Sequence, residues 1–134
     1  MPGIEAASSY TDLRRQEAVS AKRLYAVDGR YNPNSPVTDV AELADLAVSA
    51  VGAGGGHVLE TSHVIFPNGA ITLVLILAES HLSIHTWPEE SLIAIDLFSC
   101  GAIDGQLVVD ELTRTLQMSS VNITLVDRGT AVAH

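Results

Sequence analysis

The chain has 134 residues, 47% of them hydrophobic, with 16 acidic against 7 basic side chains and a formal net charge of -9. Such a length makes one domain with enough apolar content for a real core, and the shortage of clustered Lys and Arg excludes a nucleic-acid surface. A single cysteine, Cys100, excludes an internal disulfide framework and a multi-cysteine zinc site, and fits a cytoplasmic compartment.

Met1 to Ala21 is polar, rich in small residues and without an apolar h-region. It reads as a loose N-terminal tail, with a short helix near Asp12 to Ala18 and no secretory signal, so residues 22–134 make the domain. Arg23 to Val27 is a short strand ending at Asp28-Gly29, and Arg30 to Pro36 is a loop by its turn residues. Thr38 is placed to cap a helix whose apolar stripe, Val40, Leu43, Ala44, Ala47, Ala50 and Val51, stops at Gly52. Gly54-Gly55-Gly56 follows that helix instead of opening one, so it is a helix stop and not a phosphate-binding fingerprint.

His57 to Phe66 reads as a strand, Pro67-Asn68-Gly69 as a hairpin turn, and Ile71 to Ala78 as a strand buried on both faces. Leu82 to Trp87 and Leu92 to Phe98 are two more strands around a Pro88 to Ser91 turn. Asp104 can cap a second helix running through Met118, with Val108, Val109, Leu112 and Leu116 inward and Asp110 to Arg114 as an ion pair. Val121, Ile123 and Leu125 alternate with polar residues in a last strand. The order strand, helix, four strands, helix, strand predicts an α+β two-layer sandwich, a mainly antiparallel sheet with two helices on one face. The longest uncharged stretch, Thr61 to Ala78, is broken by Pro67, Asn68 and Gly69. Its apolar remainder falls short of the ~20 residues of a spanning helix, so no membrane partner is expected.

Chemistry concentrates in Glu79-Ser80-His81-Leu82-Ser83-Ile84-His85-Thr86-Trp87-Pro88-Glu89. His81, Ser83 and His85 would share one strand face with His63 nearby, yet two strand histidines without a clear third ligand predict no metal site. A Ser80, His85, Asp96 triad lacks the G-x-S-x-G elbow, and Ser80 continues a buried strand. In the third reading, self-processing, Ser80 attacks its own preceding peptide bond and is left as a pyruvoyl ketone able to act as a covalent electron sink for a substrate amine. Ser80 and His85 are five apart, so on a continuous strand they face opposite sides of the sheet. Either the strand breaks between them, or His85 serves the Ser80 of a second protomer.

The run Glu79 to Glu89, followed by Ala94-Ile95-Asp96-Leu97-Phe98-Ser99-Cys100-Gly101, resembles the prokaryotic S-adenosylmethionine decarboxylase proenzymes, which are pyruvoyl-dependent. The resemblance extends more loosely from His57 through Val126-Asp127-Arg128-Gly129. It implies autocleavage between Glu79 and Ser80, Ser80 as precursor of the pyruvoyl cofactor, and His85 with Thr72 assisting processing. Cys100 would be the proton donor during decarboxylation, Glu89 would hold the substrate ribose, and Phe66 would stack on adenine. It also implies a small-molecule substrate and a homodimer of cleaved protomers. Ala21-Lys22-Arg23-Leu24 stands where relatives carry a Gly-x-His-Leu strand. Related pyruvoyl enzymes on the same scaffold decarboxylate arginine or ornithine, so these substrates stay open, as does an unprocessed binding homologue.

Overall fold

The computed structural model describes residues 21–130 and residue 132. Apart from Ala21, the expected N-terminal tail and its short helix lie outside the described residues. Six strands form one antiparallel sheet in the order β2-β3-β4-β5-β1-β6. They are β1 (Lys22–Tyr31), β2 (Val58–Ile65), β3 (Ile71–Leu77), β4 (Ser80–Trp87), β5 (Leu92–Cys100) and β6 (Met118–Arg128). Among the described residues the α-helices are α1 (Val40–Ala53) and α2 (Gly105–Thr115). Leu43, Ala47, Val51, Val108 and Leu112 from the helices share one core with Leu73, Leu82, Ile84, Ile95 and Leu97 from the central strands. These strand residues alternate with half-buried ones, so both helices cover the same face and, among the described residues, the other face is left open.

That open face corrects the reading of β3. Its apolar run alternates between buried Ile71, Leu73, Leu75 and Leu77 and less buried neighbours, and Ile76 is 45% exposed. A continuous apolar run signals burial but carries no information about which layer covers the second face.

Local chemistry explains the other departures. Pro36 opens a 3-10 turn over Pro36–Thr38, which takes Thr38 out of the capping position. Asp39 caps α1 instead, its carboxylate accepting from Ala41 N and Glu42 N. The helix passes Gly52 and ends on Gly54, which lies so close to α2 that an added Cβ would overlap Val108. Asp104 N donates to Gly54 O at 2.9 Å, tying the end of one helix to the start of the other. Asp104 does cap α2, but that helix ends at Thr115, because Gln117 takes a left-handed φ of 54° and Met118 begins β6. Arg114 pairs with Glu111 at 2.7 Å, and Asp110 accepts from Gln106 instead.

β1 extends to Tyr31 because β5 and β6 pair with it on both sides and carry its backbone through Arg30 and Tyr31. At Gly29 a Cβ would meet Met118 Cε at 2.9 Å and Ser119 O at 3.2 Å, beside a register shift in the β1/β6 ladder. Among the described residues no helix is long and apolar enough to cross a membrane.

Candidate active site

The β3/β4 connection is a two-residue turn, Ala78-Glu79, closed by the pair Leu77↔Ser80. Ser80 is therefore the first residue after a reversal, not the continuation of a buried strand. Two-residue hairpins usually reverse through a left-handed residue inside the loop, a place for glycine or asparagine. Here neither Ala78 nor Glu79 has positive φ; the positive value, 151°, falls on Ser80. A side chain in that glycine-favouring region costs roughly 1–3 kcal/mol. Strain thus sits on the residue that follows the Glu79–Ser80 peptide bond.

Both turn residues are buried, and the Glu79 side chain is fully so. Its Oε1 accepts from His57 N at 2.9 Å and its Oε2 lies 2.6 Å from His57 Nδ1, satisfying both carboxylate oxygens. The β4/β5 ladder runs to His81↔Phe98, which brings Ser99 and Cys100 to the same end of the sheet as Glu79 and Ser80. Cys100 is 5% exposed and lines a cavity of about 250 Å³ with Arg23, Tyr25, Ser99 and Ile103. On the open face, His81 meets Phe98 edge-on at 5.8 Å, and the Arg128 guanidinium lies 5.4 Å from the Phe98 centroid.

A second cluster occupies the far end of β4. Thr72 pairs with His85 across β3 and β4, and Thr72 Oγ1 lies 3.1 Å from His85 Nδ1. They line a cavity of about 370 Å³ with Phe66 and Trp87. Phe66 is 47% exposed and Trp87 40%. The wall is kept in place by Thr86, whose hydroxyl accepts from Ile71 N at 2.8 Å. Glu89 lies in the short turn after Trp87, where its Oε1 accepts from Asn68 Nδ2. Burial, and then the charge of Glu89, raise the Tyr31 hydroxyl above its ordinary value.

The two clusters do not meet within one chain. Leu82, Ile84 and Thr86 of β4 are buried on the helix side, so His85 projects to the open face while Ser80 has the opposite parity. Five residues at a strand's rise separate Ser80 from His85 by about 17 Å. Glu79, Ser80 and Cys100 gather at one end; Thr72, His85, Phe66 and Glu89 gather at the other.

The competing constellations fare differently. Among the described residues no group of three His, Cys, Asp or Glu could hold a metal ion. Asp96 stands opposite Ser83 in the ladder while His85 stands opposite Ala94, so no Ser80, His85, Asp96 triad forms. Sequence reading missed His57 and Asn68. They lie 22 and 21 positions from the carboxylates they bind, and no local spacing announces such pairs.

The sequence profile described as S-adenosylmethionine decarboxylase matches residues 23–129. The chain is 38% identical over 76 residues to S-adenosylmethionine decarboxylase proenzyme 2 of Bacillus anthracis, covering 56% of this chain and 62% of that protein. It is 38% identical over 78 residues to the S-adenosylmethionine decarboxylase proenzyme of Thermotoga maritima, covering 58% and 59%. With the proenzyme of Symbiobacterium thermophilum, identity is 42% over 76 residues, covering 56% and 58%. The chain thus spans about three-fifths of the length of the curated relatives it matches. The fold is shared with the crystal structure of the adenosylmethionine decarboxylase from Aquifex aeolicus, with a TM-score of 0.69 at 24% identity over 86% of this chain and 96% of that one.

Proposed function

Because the chain belongs to the S-adenosylmethionine decarboxylase family, we propose that it is a self-processing, pyruvoyl-dependent decarboxylase that acts on S-adenosylmethionine and supplies the aminopropyl donor for polyamine synthesis in the cytoplasm. The observation that carries the reading is the positive φ of Ser80, which puts backbone strain beside the Glu79–Ser80 bond.

In processing, the Ser80 hydroxyl attacks the Glu79 carbonyl carbon. The peptide C–N bond breaks, the Ser80 nitrogen takes up a proton, and an ester remains. Loss of the Ser80 Cα proton with cleavage of the Cβ–Oγ bond releases Glu79 as a carboxylate. Water then displaces the nitrogen as ammonia, leaving a pyruvoyl ketone at the new N-terminus. The residues present fit this group, since the strained Ser80 shares its end of the sheet with the cavity lined by Cys100. Once formed, the ketone supplies a sink for the electron pair released as carbon dioxide leaves.

The protein's own side chains do the rest. His85, hydrogen-bonded to Thr72, moves the proton of the Ser80 hydroxyl. Cys100 holds a proton for the substrate carbon, Glu89 accepts from the ribose hydroxyls, and Phe66 offers an exposed ring to adenine. The roughly 17 Å between Ser80 and His85 of one chain favours a homodimer in which each site joins the Ser80 end of one protomer to the His85 end of its partner. Val64, Ile76, Trp87 and Val126 leave apolar surface on the open sheet face for that contact.

Intact mass under denaturing conditions tests processing: the expected species are residues 1–79 and 80–134, the latter blocked at its N-terminus, and Ser80→Ala stays whole. Release of carbon dioxide from S-adenosylmethionine, arginine and ornithine, assayed in parallel, tests the substrate. Release from an amino acid and not from S-adenosylmethionine would overturn the assignment.

A further inference from the structure

Glu79 is the one fully buried charged side chain among the described residues, and it belongs to the residue whose carbonyl carbon is attacked in the proposed processing step. Among the described residues, both hydrogen bonds to its carboxylate come from His57. The imidazole Nδ1 lies 2.6 Å from Oε2, His57 N donates to Oε1 at 2.9 Å, and His57 O accepts from Ala78 N at 2.9 Å. One residue, at the entry to β2, therefore grips both members of the turn, by the Glu79 side chain and by the Ala78 backbone.

This grip bears on the strain. The hairpin could relax by letting Glu79 swing outward and Ser80 return to an ordinary φ, because a carboxylate favours water over an apolar interior. A buried carboxylate that accepts from both a backbone N–H and an imidazole N–H has that preference offset. We infer that His57 is a positioning residue for self-cleavage, clamping the Glu79 side chain and the Ala78 backbone so that the strained conformation at Ser80 persists until the bond is broken. His57 does not touch the reacting atoms; it acts through Glu79. The inference rests on the self-processing reading and deepens it.

The test follows cleavage of freshly translated full-length chain by mass, measuring the rate at which the 80–134 fragment appears. His57→Ala removes a hydrogen bond to a buried charge and is expected to slow cleavage roughly 10- to 100-fold. His57→Asn, whose amide can donate near the Nδ1 position, is expected to recover most of the rate. The His57 ring is half exposed, so added imidazole is expected to accelerate His57→Ala and leave the unmutated chain unchanged. Melting of His57→Ala in a Ser80→Ala background, where no cleavage intervenes, shows that the variant folds. Cleavage of His57→Ala at the unmutated rate would overturn the clamp, as would a slow rate in a folded variant that neither asparagine nor imidazole restores. If the unmutated chain itself stays whole, both the clamp and the self-processing reading fail; if it cleaves and His57→Ala is indifferent, the clamp alone fails.

Discussion

Mixing two defective chains tests the proposed division of the site between protomers. His85→Ala keeps Ser80 but lacks the proposed proton carrier, and Ser80→Ala keeps His85 but lacks the hydroxyl proposed to start cleavage. Within one chain the two residues stand about 17 Å apart on β4, whereas direct proton transfer needs a heavy-atom separation of about 3 Å. No rotamer of His85 closes that gap while β4 keeps its ladders to β3 and β5. Alone, His85→Ala is expected to lose roughly 100- to 10,000-fold in cleavage rate, the span of general acid and base contributions. Co-expressed in equal amounts, random pairing puts about half of the His85→Ala chains into mixed dimers of C2 type, each with one complete site. The assay is denaturing mass spectrometry of the purified mixture, with the two chains distinguished by their mutations. About half of the His85→Ala chains should appear as the 1–79 and 80–134 fragments, and none of the Ser80→Ala chains. Full cleavage of His85→Ala by itself would refute the trans arrangement. So would an uncut mixture from a preparation in which mixed dimers are shown by native mass.

Cys100→Ala should process normally, since its thiol is assigned to the later step, but release carbon dioxide from S-adenosylmethionine about 100- to 10,000-fold more slowly; unchanged turnover and product would remove its proposed role. Ile84 is fully buried in the central strand β4, so Ile84→Ala in a Ser80→Ala background should cost roughly 2–5 kcal/mol, read as a fall in the urea midpoint. The raised Tyr31 hydroxyl gives a signed pH effect. Its folded value lies above its unfolded one, so the stability it contributes is fully present below the unfolded value near pH 10 and is lost as pH rises through the folded value. Melting temperatures from pH 9 upward should therefore decline, and Tyr31→Phe should flatten that decline; an identical slope in the variant would show that another group dominates.

The reach of sequence reading differs from residue to residue for physical reasons. The capping of α2 by Asp104 and the Pro67-Asn68-Gly69 turn depend on contacts a few positions away, and both were legible. Thr38 misled because Pro36 and Asp39 compete for the same turn, and Asp39 has the carboxylate that reaches two amides. The extent of β1 was hidden because Arg30 and Tyr31 are held by strands from distant parts of the chain.

The chain itself, through Glu79 to Glu89 and the block ending at Cys100-Gly101, determined the family and the residues worth testing, because backbone and side-chain types at short spacing are a local property. It also determined that Ser80 and His85 fall on opposite sides of a continuous strand, since strand parity is counted along the chain. Only the tertiary structure decided where the strain lies, which residue holds Glu79, and how far apart the two ends of the site stand. Those outcomes follow from ladder register and from which face the helices cover, and both are set by contacts between residues far apart in sequence.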